Sequence, residues 1–148
     1  MKKLSSLTLI TVLFITTSFA NAGPAPENKK VIDAFTKHFA AAQSVTWNQT
    51  AKISTANFEI NGQYLAAHFS PEAKMLGVSR NLSSNDLPFN LRMNLQSYFE
   101  KYWVTEAFEY ATPASDSYYV TLENADVKLI LKSESGVFQL YKKTIKTS

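Results

Sequence analysis

Apolar side chains recur at helical spacing twice along this chain, and each time the period then shortens to two. The clearer instance lies in the middle, Asp86 to Trp103 (DLPFNLRMNLQSYFEKYW). At about 100° per residue, Leu87, Leu91, Leu95, Tyr98 and Tyr102 fall within about 80° of arc with Phe99 at its edge, so one face is made for burial. Asp86 is placed to cap this helix, and Pro88 suits a first turn, where its missing N–H would have had no intrahelical partner. Asn90, Asn94, Ser97 and Lys101 take much of the opposite side. Phe89 and Met93 form a narrow apolar pair on the remaining flank, open to cover by a loop or to contact with a partner.

The first instance begins near Lys29, where Val31, Phe35, Phe39 and Ala42 repeat with four- and three-residue steps and Ile32 widens the stripe. This helix is expected to end near Gln43, with His38 at the margin of its apolar face and Asp33 paired with Lys37. After Val45-Thr46-Trp47 the period is two. Ala56, Phe58 and Ile60 alternate with polar residues, Asn61-Gly62 supplies a tight turn, and Leu65, Ala67 and Phe69 continue on the returning strand. Ser70 to Ala73 turns the chain into a third strand carrying Leu76 and Val78. The central helix is then followed by strands near Ala107 to Ala111, Tyr118 to Glu123, Val127 to Lys132 and Val137 to Lys143, separated by turn-forming stretches.

Val45-Thr46 follows the first helix as Val104-Thr105 follows the second, which reads as an internal duplication of a helix and an antiparallel meander. The predicted fold is α+β, with two helices on one face of a meandering antiparallel sheet. The expected organisation is an export signal over 1–22, a flexible leader over 23–28, and one domain over 29–148 built from repeats at 29–84 and 85–146.

The signal reading rests on Lys2 and Lys3, an apolar run around Leu7 to Ile15, and Ala20-Asn21-Ala22 before Gly23. That run is short for a membrane span, so no stable membrane insertion is expected once it is removed. Two of the 15 basic residues fall within it, and the +3 balance is nearly neutral without them. Electrostatics therefore give no reason to expect nucleic acid as a partner. Lys142, Lys143 and Lys146 form only a small basic tail. With no cysteine the chain has no disulfide, thiolate nucleophile or lipid-attachment thiol. Export without disulfides suits the periplasm or secretion from a bacterium.

If Phe58, Leu65, Phe69, Leu76, Val120, Leu122, Phe138 and Leu140 point at the helices, alternation puts Tyr64, His68, Met75, Tyr119, Ile130 and Tyr141 on the other face. Tyrosine combines contact area with a hydrogen-bonding tip, so this set is the candidate binding face. Cross-strand stabilisation of a half-exposed sheet would use the same residues.

The pattern resembles the small exported PepSY-like proteins, also called beta-lactamase-inhibitor-like, of Bacteroidetes-type bacteria. The residues that carry the resemblance are Val45-Thr46-Trp47, the run NFEINGQYLAAHFSPEAKMLGVSRNL from Asn57 to Leu82, Leu87-Pro88, and the strand, turn and strand around Ser133 to Tyr141. It spans Lys29 to Ile145. The turn at Pro71-Glu72-Ala73-Lys74 departs from it in lacking a glycine, whereas the second half keeps Gly136. The resemblance implies helices packed on an antiparallel sheet, secretion or periplasmic residence, and no established enzymatic activity. No inhibitory residue carries over by motif, and fold does not fix function.

The sequence supplies no metal-ligand spacing around His38 and His68, no glycine-rich phosphate loop and no GxSxG or SxxK motif. No catalytic residue and no cofactor is expected. The function expected is a non-catalytic module, a binder or inhibitor of an envelope or extracellular protein or peptide, acting through the open sheet face. The alternative is a carrier of a small apolar ligand, held in a cavity near Phe35, Phe99 and Trp103. A hydrolase built on His68 would need an acid and a nucleophile beside it.

Overall fold

The computed structural model describes Pro26 and residues 28–147. The predicted signal and four of the six residues of the predicted leader lie outside the described residues. Asn28, assigned to the leader by composition, instead caps the first helix: its Oδ1 accepts from the Lys30 backbone N–H at 3.0 Å, and its amide donates to the Pro71 carbonyl at 2.7 Å. Helix α1 runs Lys29–His38 and leads into β1 (Gln43–Gln49), β2 (Ser54–Ile60), β3 (Gln63–Phe69) and β4 (Met75–Asn81). A 3-10 turn at Ser84–Asp86 precedes α2 (Phe89–Leu95), which continues as a 3-10 turn through Gln96–Tyr98. Strands β5 (Trp103–Ala111), β6 (Asp116–Glu123), β7 (Val127–Ser133) and β8 (Gln139–Ile145) complete the chain. Among the described residues all eight strands form one antiparallel sheet in sequence order, accompanied by two short helices, so the fold is α+β.

Both helices are shorter than their apolar spacing predicts, for one reason. Val45-Thr46-Trp47 and Trp103-Val104-Thr105 are β-branched and aromatic, and each stretch pairs with the next strand, Trp47 with Ala56 and Val104 with Leu122. Ladder hydrogen bonds and packing override a helical periodicity that carries no stop signal of its own. The first half accordingly has four strands, not three. Asp86 does not cap α2. Its carboxylate accepts from the Ser83 N–H at 3.1 Å and the Ser83 hydroxyl at 2.7 Å, closing the preceding 3-10 turn, while Pro88 is the residue before α2. Asp33 pairs with Lys29 at 2.8 Å rather than with Lys37, and His38 is exposed.

The predicted stripe of α2 is buried: Leu87, Leu91 and Leu95 pack with Ala107, Val120, Leu122, Leu129, Leu131 and Phe138, and Tyr98 and Tyr102 lie against that cluster. Each of the three leucines contributes about 2 kcal/mol of burial. Val31 and Phe35 of α1 pack with Trp47, Ala56, Phe58, Ala67 and Phe69; the Phe35 ring meets Trp47, Phe58 and Phe69 edge-on at 5.1–6.4 Å.

The register puts the two clusters on the same side of the sheet. Directly paired residues share a face, and the row Ala56, Ala67, Val78, Ala111 crosses from the α1 cluster to β5, where Ala107 on the same side of β5 begins the row Ala107, Val120, Leu131. Between the clusters lies a polar seam. Arg80 donates two hydrogen bonds to Glu109 Oε2, at 2.6 and 3.1 Å, and Tyr118 donates to Oε1 at 3.0 Å.

Asn61 and Gly62 both take positive φ, 53° and 76°, as the tight turn requires. Where the resemblance led one to look for a glycine, Ala73 adopts φ 64°, a left-handed conformation with a Cβ in place.

Candidate functional site

The face that neither helix covers carries five of the six predicted residues. Tyr64 (61% exposed) and Tyr141 (43%) are accessible, His68 is partly buried, and Tyr119 (3%) and Ile130 (4%) are buried at its floor. Met75 belongs to the other side. An irregularity opposite Phe69 pairs that residue with Met75, which packs against the α1 cluster and takes the helix-facing place that alternation had assigned to Leu76. Leu140 was expected in the core and is 59% exposed, because β8 is an edge strand and the α2 cluster is closed by Phe138 instead.

Towards β8 the face is aromatic. Phe108 of β5 stacks on Tyr119 of β6 at 4.8 Å with ring planes 9° apart, and Tyr141 meets Tyr119 edge-on at 5.9 Å. The Lys132 ammonium lies 5.5 Å from the Tyr119 ring centre and 5.9 Å from that of Tyr141. The Glu134 carboxylate bonded to Lys132 raises the lysine's pKa, so the charge over the rings is firmly held. Burial raises that of the Tyr119 phenol. Tyr141 reaches the group because β8 bulges, Ile130 pairing with Lys142 but Leu131 with Leu140.

Phe108, Tyr110 and Lys132 complete this face and were not picked out by sequence reasoning. The available signal was the alternation Ala107-Phe108-Glu109-Tyr110-Ala111. Ranking by hydrophobicity would turn the aromatics inward, yet the alanines take the helix side, where Ala107 lies against the leucines of α2.

In the middle of the face His68 spans three strands. Its Nδ1 lies 3.1 Å from Thr55 Oγ1 of β2 and its Nε2 3.1 Å from Ser79 Oγ of β4, with Tyr110 at 5.9 Å. Burial lowers its pKa from 6.5 to about 4, so the ring is neutral near pH 7 and bonds both hydroxyls. Ser79 and His68 have the spacing of a nucleophile and base, but a hydroxyl occupies the position where a carboxylate would stabilise the imidazolium. A base this weak is poorly matched to proton transfer near neutral pH. His68 is therefore a cross-strand pin.

Towards β1 the face becomes an open groove of about 240 Å³, lined by Ser44, Thr46, Asn57, Tyr64, Ser79 and Asn81 over Ala66. Ser44 has φ 53° and sits where the β1–β2 register shifts. Phe35 is packed within the α1 cluster, while Phe99 (51%) and Trp103 (57%) are exposed, so the three residues suggested for an internal ligand cavity do not line one. Among the described residues no group of three or more histidine, cysteine or acidic side chains is placed to hold a metal, and no helix is long and apolar enough to cross a membrane.

No protein-family model and no curated protein matches this chain. Solved structures do. A BLIP-like protein from Bacteroides fragilis is 24% identical, with a TM-score of 0.67 over 85% of this chain and 91% of that one. A DUF2874 family protein from Bacteroides ovatus is 21% identical, with a TM-score of 0.72 over 83% and 89%. A protein from Bacteroides eggerthii, provisionally named periplasmic, is 17% identical, with a TM-score of 0.70 over 83% and 90%. None of the three carries the PepSY name, and at these identities the likeness concerns the fold alone: the chain has a BLIP-like α+β fold.

Proposed function

We propose that this protein is a non-catalytic binding module of the bacterial envelope that holds a protein or peptide against the open face of its sheet. The observation that carries the reading is the group formed by Phe108, Tyr119, Tyr141 and Lys132 on the face that neither helix covers. The accessible Tyr141 ring, held by the buried Tyr119 beneath it, offers contact area and few rotatable bonds, and Lys132 adds one charge for orientation, the composition of an interface centre. Envelope residence rests on the signal-like N-terminal sequence. A duplicated origin is part of the same reading. It is supported by the order of elements, one helix before four strands in each half, and by Val45-Thr46 and Val104-Thr105 each lying in the first strand after a helix, beside a register shift.

The test compares the exported protein with Tyr64→Ser/Tyr141→Ser and, as a control on the helix side, Phe89→Ser/Met93→Ser. Crosslinking in the envelope followed by mass spectrometry should give an adduct that the tyrosine variant loses and the control keeps. Equal crosslinking by all three forms would refute the assignment to this face.

A further inference from the structure

The groove beside β1 differs from the rest of the open face. Beyond it several polar side chains of the face are engaged with one another, Thr55 with His68, Ser117 with Glu134 and Thr121 with Glu106, and at the groove's inner end Ser79 is bonded to His68. The side chains of Ser44, Thr46, Asn57 and Asn81 make no hydrogen bond to any described residue, yet all four line one concavity with the exposed Tyr64 ring at its rim and Ala66 as an apolar floor. No lining residue is charged. Arg80 faces the helices, paired to Glu109, and Glu59, which pairs with Tyr64 across the β2–β3 ladder, lies outside the lining.

Four neutral donor–acceptor groups beside an accessible aromatic ring match one kind of ligand. A sugar ring carries a rim of uncharged hydroxyls, each able to donate and accept, around an apolar C–H face that can lie on an aromatic ring. About 240 Å³ is below the size of pockets that enclose drug-sized ligands and suits a single ring. The register shift and left-handed Ser44 turn the start of β1 towards this spot, a use to which β-bulges are commonly put. We infer that this groove is a saccharide site, taking one neutral pyranose ring, free or at the end of a glycan, with Tyr64 as the stacking platform and Thr46, Asn57 and Asn81 as its hydrogen-bonding partners. The inference goes beyond the protein-binding reading and does not depend on it.

The experiment is a titration of the ¹⁵N-labelled exported protein with galactose, N-acetylglucosamine and glucuronate, followed by backbone amide shifts. Expected is saturable binding of at least one neutral sugar in the millimolar range, with shifts centred on Thr46, Asn57, Tyr64 and Asn81. Asn81→Ala and Tyr64→Ala should each weaken it about tenfold, from a lost hydrogen bond and a lost ring contact. Glucuronate should bind about tenfold more weakly than the neutral sugars, because the groove holds no cation to offset desolvation of its carboxylate. Absence of shifts with both neutral sugars at tens of millimolar, shifts mapping to the Tyr119–Tyr141 end, or glucuronate binding as tightly as the neutral sugars would each overturn the proposal. Since Asn57 and Asn81 lie outside the aromatic group, Asn57→Ala/Asn81→Ala should leave the protein crosslink intact, which separates failure of one reading from failure of the other.

Discussion

His68 gives the fold a pH dependence that can be worked out from its surroundings. The neutral ring bonds Thr55 on one side and Ser79 on the other, tying β2, β3 and β4 together across the open face. Protonation makes both nitrogens donors and places a charge in a partly desolvated site. With the folded pKa lowered from 6.5 to about 4, the unfolded chain binds this proton first. The stabilising contribution is therefore complete above about pH 6.5 and is lost as pH falls towards about 4. At about 1.4 kcal/mol per unit the full shift corresponds to about 3 kcal/mol; the ring is partly exposed, so solvent screening should reduce this to about 1–2 kcal/mol. His68→Gln retains hydrogen-bonding capacity without the titration. Urea unfolding followed by the fluorescence of Trp47, which packs against Phe35, measures both forms across the window. Asp86, Glu123 and Glu134, whose pKa values are lowered by hydrogen bonds or ion pairs, also lose stability in acid, but they do so equally in both proteins. The wild-type advantage over His68→Gln should thus shrink by about 1–2 kcal/mol between about pH 6.5 and 4. A difference that stays constant across that range would refute the assignment of a neutral, partly buried His68.

Two further outcomes follow from packing and backbone geometry. Leu91→Ala, at a position 1% exposed in the α2 cluster, should cost about 3 kcal/mol in urea unfolding, whereas Phe89→Ser, at 70% exposed, should stay within about 0.5 kcal/mol; similar losses would mean that α2 does not dock by its leucine stripe. Ala73→Gly should raise stability by about 0.5–1 kcal/mol by relieving the left-handed φ of 64°, while Gly77→Ala should lower it by about 2 kcal/mol, since a Cβ there would come 2.5 Å from Tyr110 Cζ and 2.8 Å from the Ala111 carbonyl oxygen. Thermal unfolding shifts of the same sign for both variants would contradict this account.

The chain of local signals carried the architecture far. The Leu87-Leu91-Leu95 stripe, the Asn61-Gly62 turn and the alternation in β2, β3, β6 and β7 each depend on near neighbours, so they are written in consecutive residues and the structure keeps them. Helix ends were less legible. Phe39 and Ala42 continue the apolar stripe of α1 yet lie beyond its end, and Trp103, expected to close the central helix, instead opens β5, a choice made by a partner distant in sequence, Glu123 opposite Trp103.

For the open face, sequence determined that aromatics would alternate with core residues, and hence that Tyr64, Tyr119 and Tyr141 could share a side. Only tertiary structure decided which side Met75 joins, because one irregularity opposite Phe69 moves Met75 to the helix side while Val78 and the rest of β4 keep the expected alternation. Only it could gather Phe108, Lys132 and Tyr141 around Tyr119, or Ser44, Asn57 and Asn81 around one groove. Alternation along a strand is a property of one segment. What lies beside it across a sheet depends on register, bulges and the space the helices leave, none of which any single segment contains.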